Sequence, residues 1–303
     1  MRVVPPAPGD PRRPHGSRNP GDAWVVAESG QKYWGRYGAA GLLAYDIVRG
    51  VLLQHRVEWS HFGGTWGLPG GALHEGETAL VGALREAQEE AGIPDGAVRA
   101  RFTSVLDLSI WSYTTVVADV VAPFEPVISD PESVALEWIP VDEVGELPLH
   151  PGFAAAWPTL RPLLEVRPAL VIDAANVVGS VPDGWWKDRA GAAGRLRESL
   201  SGFSLLGPDL GLAATRWFPE VSLVVEGQAR ALTDAEGDVT VVKADAAGDD
   251  AIVEAVSRAA GGGRLVLAVT SDRELGTRVV DAGASRVVSA GWLRERLAAR
   301  SVS

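Results

Sequence analysis

The chain of 303 residues contains no cysteine. Disulfide staples, thiolate nucleophiles and cysteine-ligated zinc are thereby excluded. The five histidines (His15, His55, His61, His74 and His150) fall at no spacing that would bind a metal. No apolar run reaches the roughly 20 residues of a membrane-spanning helix, and the opening residues lack the apolar core of a secretory signal, so a cytoplasmic protein is expected. A basic excess is also lacking. The net charge is −11, and acidic residues outnumber basic ones in both halves, which argues against avid, sequence-blind binding to nucleic acid.

What is present divides into three. Residues 1–30 are rich in Pro, Gly and Arg and read as a disordered tail, with Arg12, Arg13 and Arg18 as a weak basic arm. The remaining length exceeds what one core usually serves, so two domains are expected, at 31–166 and 168–303. In the first, strand-like runs lie at 39–45, 51–55, 100–108 and 113–121, with a short strand at 137–140. A closing helix at 153–164 is expected to be interrupted at Pro158 and Pro162.

The most informative segment is GALHEGETALVGALREAQEEAGI at 71–93. Residues 78–91 are rich in Ala, Leu, Glu and Gln and predict a helix, with Gly92 as its stop. Residues three and four apart share a helix face, so Glu86, Glu89 and Glu90 project together. Arg85 offsets part of that charge, and an anionic excess remains. Clustered carboxylate oxygens suit a hard divalent cation such as Mg²⁺. The preceding GLPGG at 67–71 predicts a glycine turn that lets backbone approach a metal and phosphates closely.

Gly71, Glu77, Arg85, Glu86, Glu89, Glu90 and Gly92 stand in the order G-x5-E-x7-R-E-x-x-E-E-x-G, with Ala87 and Ile93 at the remaining apolar places. The segment resembles the Nudix hydrolase signature without departure. The resemblance implies an α/β/α sandwich around a mixed sheet, and cleavage by water of a nucleoside diphosphate linked to another group. It also implies Mg²⁺ or Mn²⁺ held by Glu86, Glu89, Glu90 and the Gly70 carbonyl. Arg85 would orient the carboxylates and Glu77 would support the loop. The general base stays open between Glu86 and the loop acid Glu132. Among nearby residues, one of Trp34, Trp59, Phe62 and Trp66 is a candidate for stacking a nucleobase, and Arg36 for a phosphate.

From 168 onward the rhythm changes. Near-continuous Val, Ile and Leu runs at 169–173, 222–226, 239–243, 264–269 and 286–289 alternate with helical stretches at 187–200, 249–260, 272–282 and 290–300. Such a pattern predicts a doubly wound parallel sheet covered on both faces. Acids gather at the carboxyl ends of its strands, where such sheets place their sites. Asp249 and Asp272 could simply cap helices. Asp173 is expected to lead into a long loop holding Asn176, where capping would not explain it. LVIDAANVVGS, GDDAIV and VTSDREL look like the NYN branch of the PIN-like ribonucleases, although Ala174 stands where Gly is usual and Glu226 where Asp is frequent. That resemblance implies metal ligation by Asp173, Glu226, Asp250 and Asp272, with Asn176 near the substrate and RNA as the partner. The whole reads as a two-domain hydrolase of nucleotide-like substrates. Its alternative is a nucleotide sensor that binds without turnover and regulates its neighbour.

Overall fold

The structure, a computed structural model, describes residues 1–5, 21–129, 131–181, 184–233, 237–245 and 247–300. It divides into two compact units: Met1–Leu164 with Gly211–Arg216, and Glu165–Leu210 with Trp217–Ser303.

The first unit opens with a three-stranded antiparallel sheet of Arg2–Val4 (β1), Trp24–Val26 (β2) and Lys32–Trp34 (β3). This corrects the expected unstructured tail at both its ends: Arg2–Val4 pairs with a strand in which Trp24 and Val25 are buried. Burial of Trp24 and Val25, with Trp24 against the Trp34 ring at 5.0 Å, holds β2 and β3 together. Residues 6–20, including Arg12, Arg13 and Arg18, lie outside the described residues.

The main sheet is built from Ala39–Asp46 (β4), Gly50–Arg56 (β5), Trp66–Gly67 (β6), Gly70–Ala72 (β7), Val98–Asp107 (β8), Ser112–Val120 (β9) and Ser133–Ile139 (β10). Strand order runs β10-β5-β4-β9-β8, with β6 along β5 and β7 along β4. The β4–β9 pair is parallel and the other pairs are antiparallel, so the sheet is mixed as expected. β10 begins earlier than the short strand read from the sequence. Its Ser133 hydroxyl accepts from the fully buried Gln54 amide at 2.7 Å, which anchors that early start.

The helix Ala79–Ala91 (α1) packs on this sheet through small residues: Ala83, Ala87 and Ala91 meet Ala40, Leu42 and Ala44. Small side chains on both partners let the helix come close, leaving its charged face outside the core. Thr78 caps the start by accepting from the Val81 N–H, and Gly92 ends it at φ 62°, the left-handed position a glycine adopts without strain. The closing helix Pro151–Leu163 (α2) is continuous through Pro158 and Pro162, against expectation. Each proline forfeits one bond to the carbonyl four residues back. Burial of Phe153, Trp157, Leu160 and Leu163 along one face holds the helix together nonetheless.

The second unit is an open sheet of Pro168–Asp173 (β11), Glu220–Val225 (β12), Val239–Lys243 (β13), Leu265–Val269 (β14) and Arg286–Val288 (β15). Its order is β13-β12-β11-β14-β15, all parallel. Leu170 and Ile172 face one core, Ala169 and Val171 the other, which is why the strands read as unbroken apolar runs. Helices Ala174–Gly179 (α3), Arg189–Leu200 (α4), Gly248–Gly261 (α5), Arg273–Asp281 (α6) and Ala290–Arg300 (α7) connect and cover it. The chain starts at the centre and winds outward both ways, so the crevice lies at the carboxyl ends of β11 and its neighbours. No helix among the described residues is long and apolar enough to cross a membrane.

Candidate active site

Arg85 organises the acidic face of α1. Its Nε and one terminal nitrogen donate to the two oxygens of Glu77, each at 2.8 Å, and that nitrogen also donates to the Ala72 carbonyl at 3.2 Å. The other terminal nitrogen donates to Glu86 at 2.7 Å and lies 3.5 Å from Glu89. A planar fork suits this bidentate task as an ammonium would not. The guanidinium holds the Glu77 carboxyl down to about 2, aided against desolvation by the His74 N–H that donates to it at 2.9 Å. Glu77 and Arg85 thus tie the loop before the helix to the helix itself.

Glu86 is only 2% exposed, an unusual place for a carboxylate. It lies against the bare Cα of Gly71, where a β-carbon would come within 2.7 Å of the carboxylate. One residue earlier, the Gly70 N–H donates to Glu90 at 2.9 Å. Gly70 is itself pressed onto β4, its absent β-carbon 2.5 Å from the Ala40 carbonyl oxygen. The backbone of the glycine turn thus closes on the carboxylates of α1.

The donor set suits a hard divalent cation. Glu86, Glu89 and Glu90 share one helix face, where Arg85 meets Glu86 and Glu89 and the Gly70 N–H meets Glu90, and clustered carboxylate oxygens are what such a cation takes. Among the described residues no three carboxylate or imidazole groups close on one point.

The other expected residues scatter. Trp66 stacks on His55, ring centroids 4.7 Å apart and planes 8° from parallel, so one of its faces is already covered. Arg36 is exposed and rests over the Tyr37 ring at 5.3 Å. Glu132 is drawn toward Arg56, 3.5 Å from its guanidinium. Arg56 escaped the sequence reading, although a single arginine closing an apolar strand before an aromatic loop was a signal. It also donates to the His61 carbonyl at 3.3 Å. Desolvation and the Arg56 charge push His61 below its ordinary range and His150 down to about 4. Phe62 bridges these imidazoles, with ring centroids 4.2 Å from His61 and 4.8 Å from His150.

In the second unit a cavity of about 170 Å³ is lined by Asp173, Asn176, Glu226, Asp249 and Asp272. Two expectations are corrected here. Asp173 leads not into a loop but directly into α3, whose start it caps by accepting from the Asn176 N–H at 3.0 Å. Ala174, where glycine is usual, favours that helix. Secondly, Asp250 does not line the cavity. It pairs with Arg278, which also lies 3.8 Å from Asp249, and of the two acids only Asp249 reaches the cavity lining. Asp173 remains 8% exposed and accepts from the Thr270 hydroxyl at 3.1 Å. Desolvation, with repulsion from Asp249 and Glu226, raises its pKa. Asn176 holds the Ser271 N–H at 2.9 Å, which links the ends of β11 and β14.

A family profile described as "NUDIX domain" matches residues 35–161. The chain is 51% identical over 154 residues to a protein of Mycobacterium tuberculosis named "Putative 8-oxo-dGTP diphosphatase 3", covering 48% of this chain and 70% of that one. It is 40% identical over 154 residues to a "Nucleoside triphosphate pyrophosphatase/Nudix hydrolase fusion protein" of Bifidobacterium longum, covering 48% of this chain and 32% of that one. Among solved structures, a Nudix hydrolase from M. smegmatis, RenU, is 47% identical with a TM-score of 0.44, covering 48% of this chain and 95% of that one. The profile match lies within the first unit.

Proposed function

The chain belongs to the Nudix family of hydrolases, and from that premise we propose that its first unit cleaves a phosphoanhydride bond of a nucleoside triphosphate, an oxidised purine deoxynucleotide being the first candidate. Water attacks one phosphorus, the bridging P–O bond breaks, and the products are a nucleoside monophosphate and pyrophosphate, with one proton released. The observation that carries the reading is Glu86: a buried carboxylate seated on Gly71 and gripped by Arg85, with Glu89 and Glu90 on the same face. Glu86, Glu89, Glu90 and the Gly70 carbonyl would hold Mg²⁺ or Mn²⁺. When bound, the cation neutralises phosphate charge and makes hydroxide available near neutral pH. Arg85 and Glu77 keep the carboxylates aligned, and Glu86 is our choice to accept the proton from water, with Glu132 as the second. The relative's name motivates the choice of substrate, and the ring cluster of His61, Phe62 and His150 offers apolar surface for a base.

The test is a panel of 8-oxo-dGTP, unmodified nucleoside triphosphates, ADP-ribose, dinucleoside polyphosphates and NADH with Mg²⁺ or Mn²⁺. Pyrophosphate release from a triphosphate is expected. Tight binding of one compound with turnover of none would favour the sensor instead.

For the second unit we propose a PIN-like, metal-dependent ribonuclease. The cavity ringed by Asp173, Glu226, Asp249 and Asp272 supports that reading, since paired metals at such carboxylates can clamp the attacking and leaving oxygens of a phosphodiester. Purified chain with Mn²⁺ should degrade single-stranded RNA, and Asp173→Asn should abolish it. Cleavage unaffected by that change assigns the activity elsewhere.

A further inference from the structure

Tyr113 stands in register with Ala39 across the parallel β4–β9 pair, so Tyr113 and Gly41 project from the same side of the sheet. The phenol reaches along β4 to Gly41. A β-carbon on Gly41 would sit 2.2 Å from the Tyr113 hydroxyl, and 3.2 Å from the Pro69 carbonyl oxygen. Gly41 is in turn in register with Gly70, whose N–H holds Glu90. A hydroxyl is thus led over a glycine floor to the strand pair that carries the Gly70–Glu90 contact. Glycine inside a strand weakens it, and a common reason for its presence is that another group must approach closely.

That hydroxyl has no hydrogen-bond partner among the described residues, although its ring is half-buried and tilted against Trp111. Burial first, then the negative charge of Glu90 and Glu86, pushes the phenol well above its ordinary range, while Arg56 opposes this. The group therefore stays protonated and retains a donor with nothing to receive it. Glu90 already takes the Gly70 N–H, and among the described residues Arg56 is the one positive charge acting on the phenol, partly offsetting Glu90 and Glu86.

We propose that the Tyr113 hydroxyl donates a hydrogen bond to a phosphoryl oxygen of the bound nucleotide, which makes Tyr113 a substrate-binding residue of the site and Gly41 the clearance it needs. The inference rests on the hydrolase reading above. It adds a neutral donor beside the carboxylates of α1 and the Arg85 guanidinium. Such a donor reaches a phosphate oxygen without competing with the carboxylates for the cation.

The experiment uses the full chain with Tyr113→Phe, which keeps the ring, and Gly41→Ala, which fills the clearance. Three quantities are read: kcat/KM on the triphosphate the parent hydrolyses, calorimetric binding of pyrophosphate with Mg²⁺, and Mn²⁺ affinity. Tyr113→Phe is expected to lower kcat/KM and pyrophosphate affinity about tenfold, the scale of one hydrogen bond to a charged acceptor. Mn²⁺ affinity and melting temperature should match the parent. Gly41→Ala should give a comparable loss, and the double variant no more than the larger single, because both act on one contact. Pyrophosphate binding and kcat/KM within twofold of the parent would overturn the proposal. A loss confined to Mn²⁺ affinity would overturn it too, making Tyr113 a support for Glu90. A parent that binds pyrophosphate without hydrolysis sinks the hydrolase reading alone, and the binding comparison still decides Tyr113. A parent that neither hydrolyses nor binds pyrophosphate overturns both.

Discussion

Arg85 and Glu77, eight residues apart in the chain, meet in a two-pronged ion pair with both contacts at 2.8 Å. Glu77 lies before the helix and Arg85 within it, so the pair closes the loop onto the helix that carries the other acids. An acid whose folded pKa is depressed stabilises the fold at pH above its unfolded value, near 4.5 here, and loses that contribution as pH falls toward about 2. The Glu77 side chain is only 9% exposed, so solvent screens the pair little. A contribution on the order of 1–3 kcal/mol is expected above pH 5. Glu77→Gln should therefore lower the melting temperature at pH 6 in chelated buffer, and the gap to the parent should close as pH approaches 2. Parallel melting curves across that range would show that the pair contributes nothing to stability.

Replacement of the carboxylates probes the cation site. Glu89→Gln and Glu90→Gln preserve shape, and a glutamine oxygen at 90 can still accept from the Gly70 N–H. Loss of a metal-stabilised transition state is worth several kcal/mol, so kcat should fall about 100-fold or more while the fold melts as before. Mn²⁺ titration followed by electron paramagnetic resonance should show weaker binding in the same variants. Unchanged hydrolysis in both would remove α1 from the chemistry.

The sequence exposed the helix, its glycine stop and the acids on its face because these are local: a 3.6-residue period places Glu86, Glu89 and Glu90 together wherever the helix packs. The parallel sheet of the second unit was legible for a similar reason, through the unbroken apolar runs of strands buried on both faces. Tyr113 and Arg56 were not. They reach the site through strand register with β4 and through a loop contact, and neither is encoded near the motif. Asp249 and Asp250 show the limit within a helix, since a shift of one residue decides which acid lines the cavity and the phase is set by packing of Ile252 and Val256. Pro158 and Pro162 misled because tertiary burial overrode a local penalty.

Gly71→Ala isolates the seat of Glu86. The added methyl would come within 2.7 Å of the buried carboxylate, closer than real contacts allow, and the carboxylate has Arg85 on its other side. Either the turn shifts or Glu86 moves, at a cost of about 1–3 kcal/mol. The expected outcome is a modest fall in melting temperature joined to a loss of activity about 100-fold, the price of a misplacement near 1 Å. A variant with lowered stability and full activity would show that Glu86 acts from any position the loop allows.

Asp173 offers a sharper separation of stability from chemistry. Its raised pKa means that the folded protein disfavours its charge, chiefly through desolvation and further through Asp249 and Glu226. An acid raised in the folded state costs stability at pH above its unfolded value, and the cost fades as pH falls below it. Asp173→Asn removes the charge at neutral pH. Its amide oxygen can still accept from the Asn176 N–H, and the Thr270 hydroxyl can turn to meet the amide nitrogen. The variant should therefore melt at or above the parent temperature at pH 7, with the difference shrinking toward pH 4. If the cavity is a phosphodiester-cleaving site, cleavage of single-stranded RNA should vanish in that same variant. Stability and activity moving in opposite directions is the mark of a group retained for chemistry. A variant that instead melts well below the parent at pH 7 would identify Asp173 as the cap of α3 and little more.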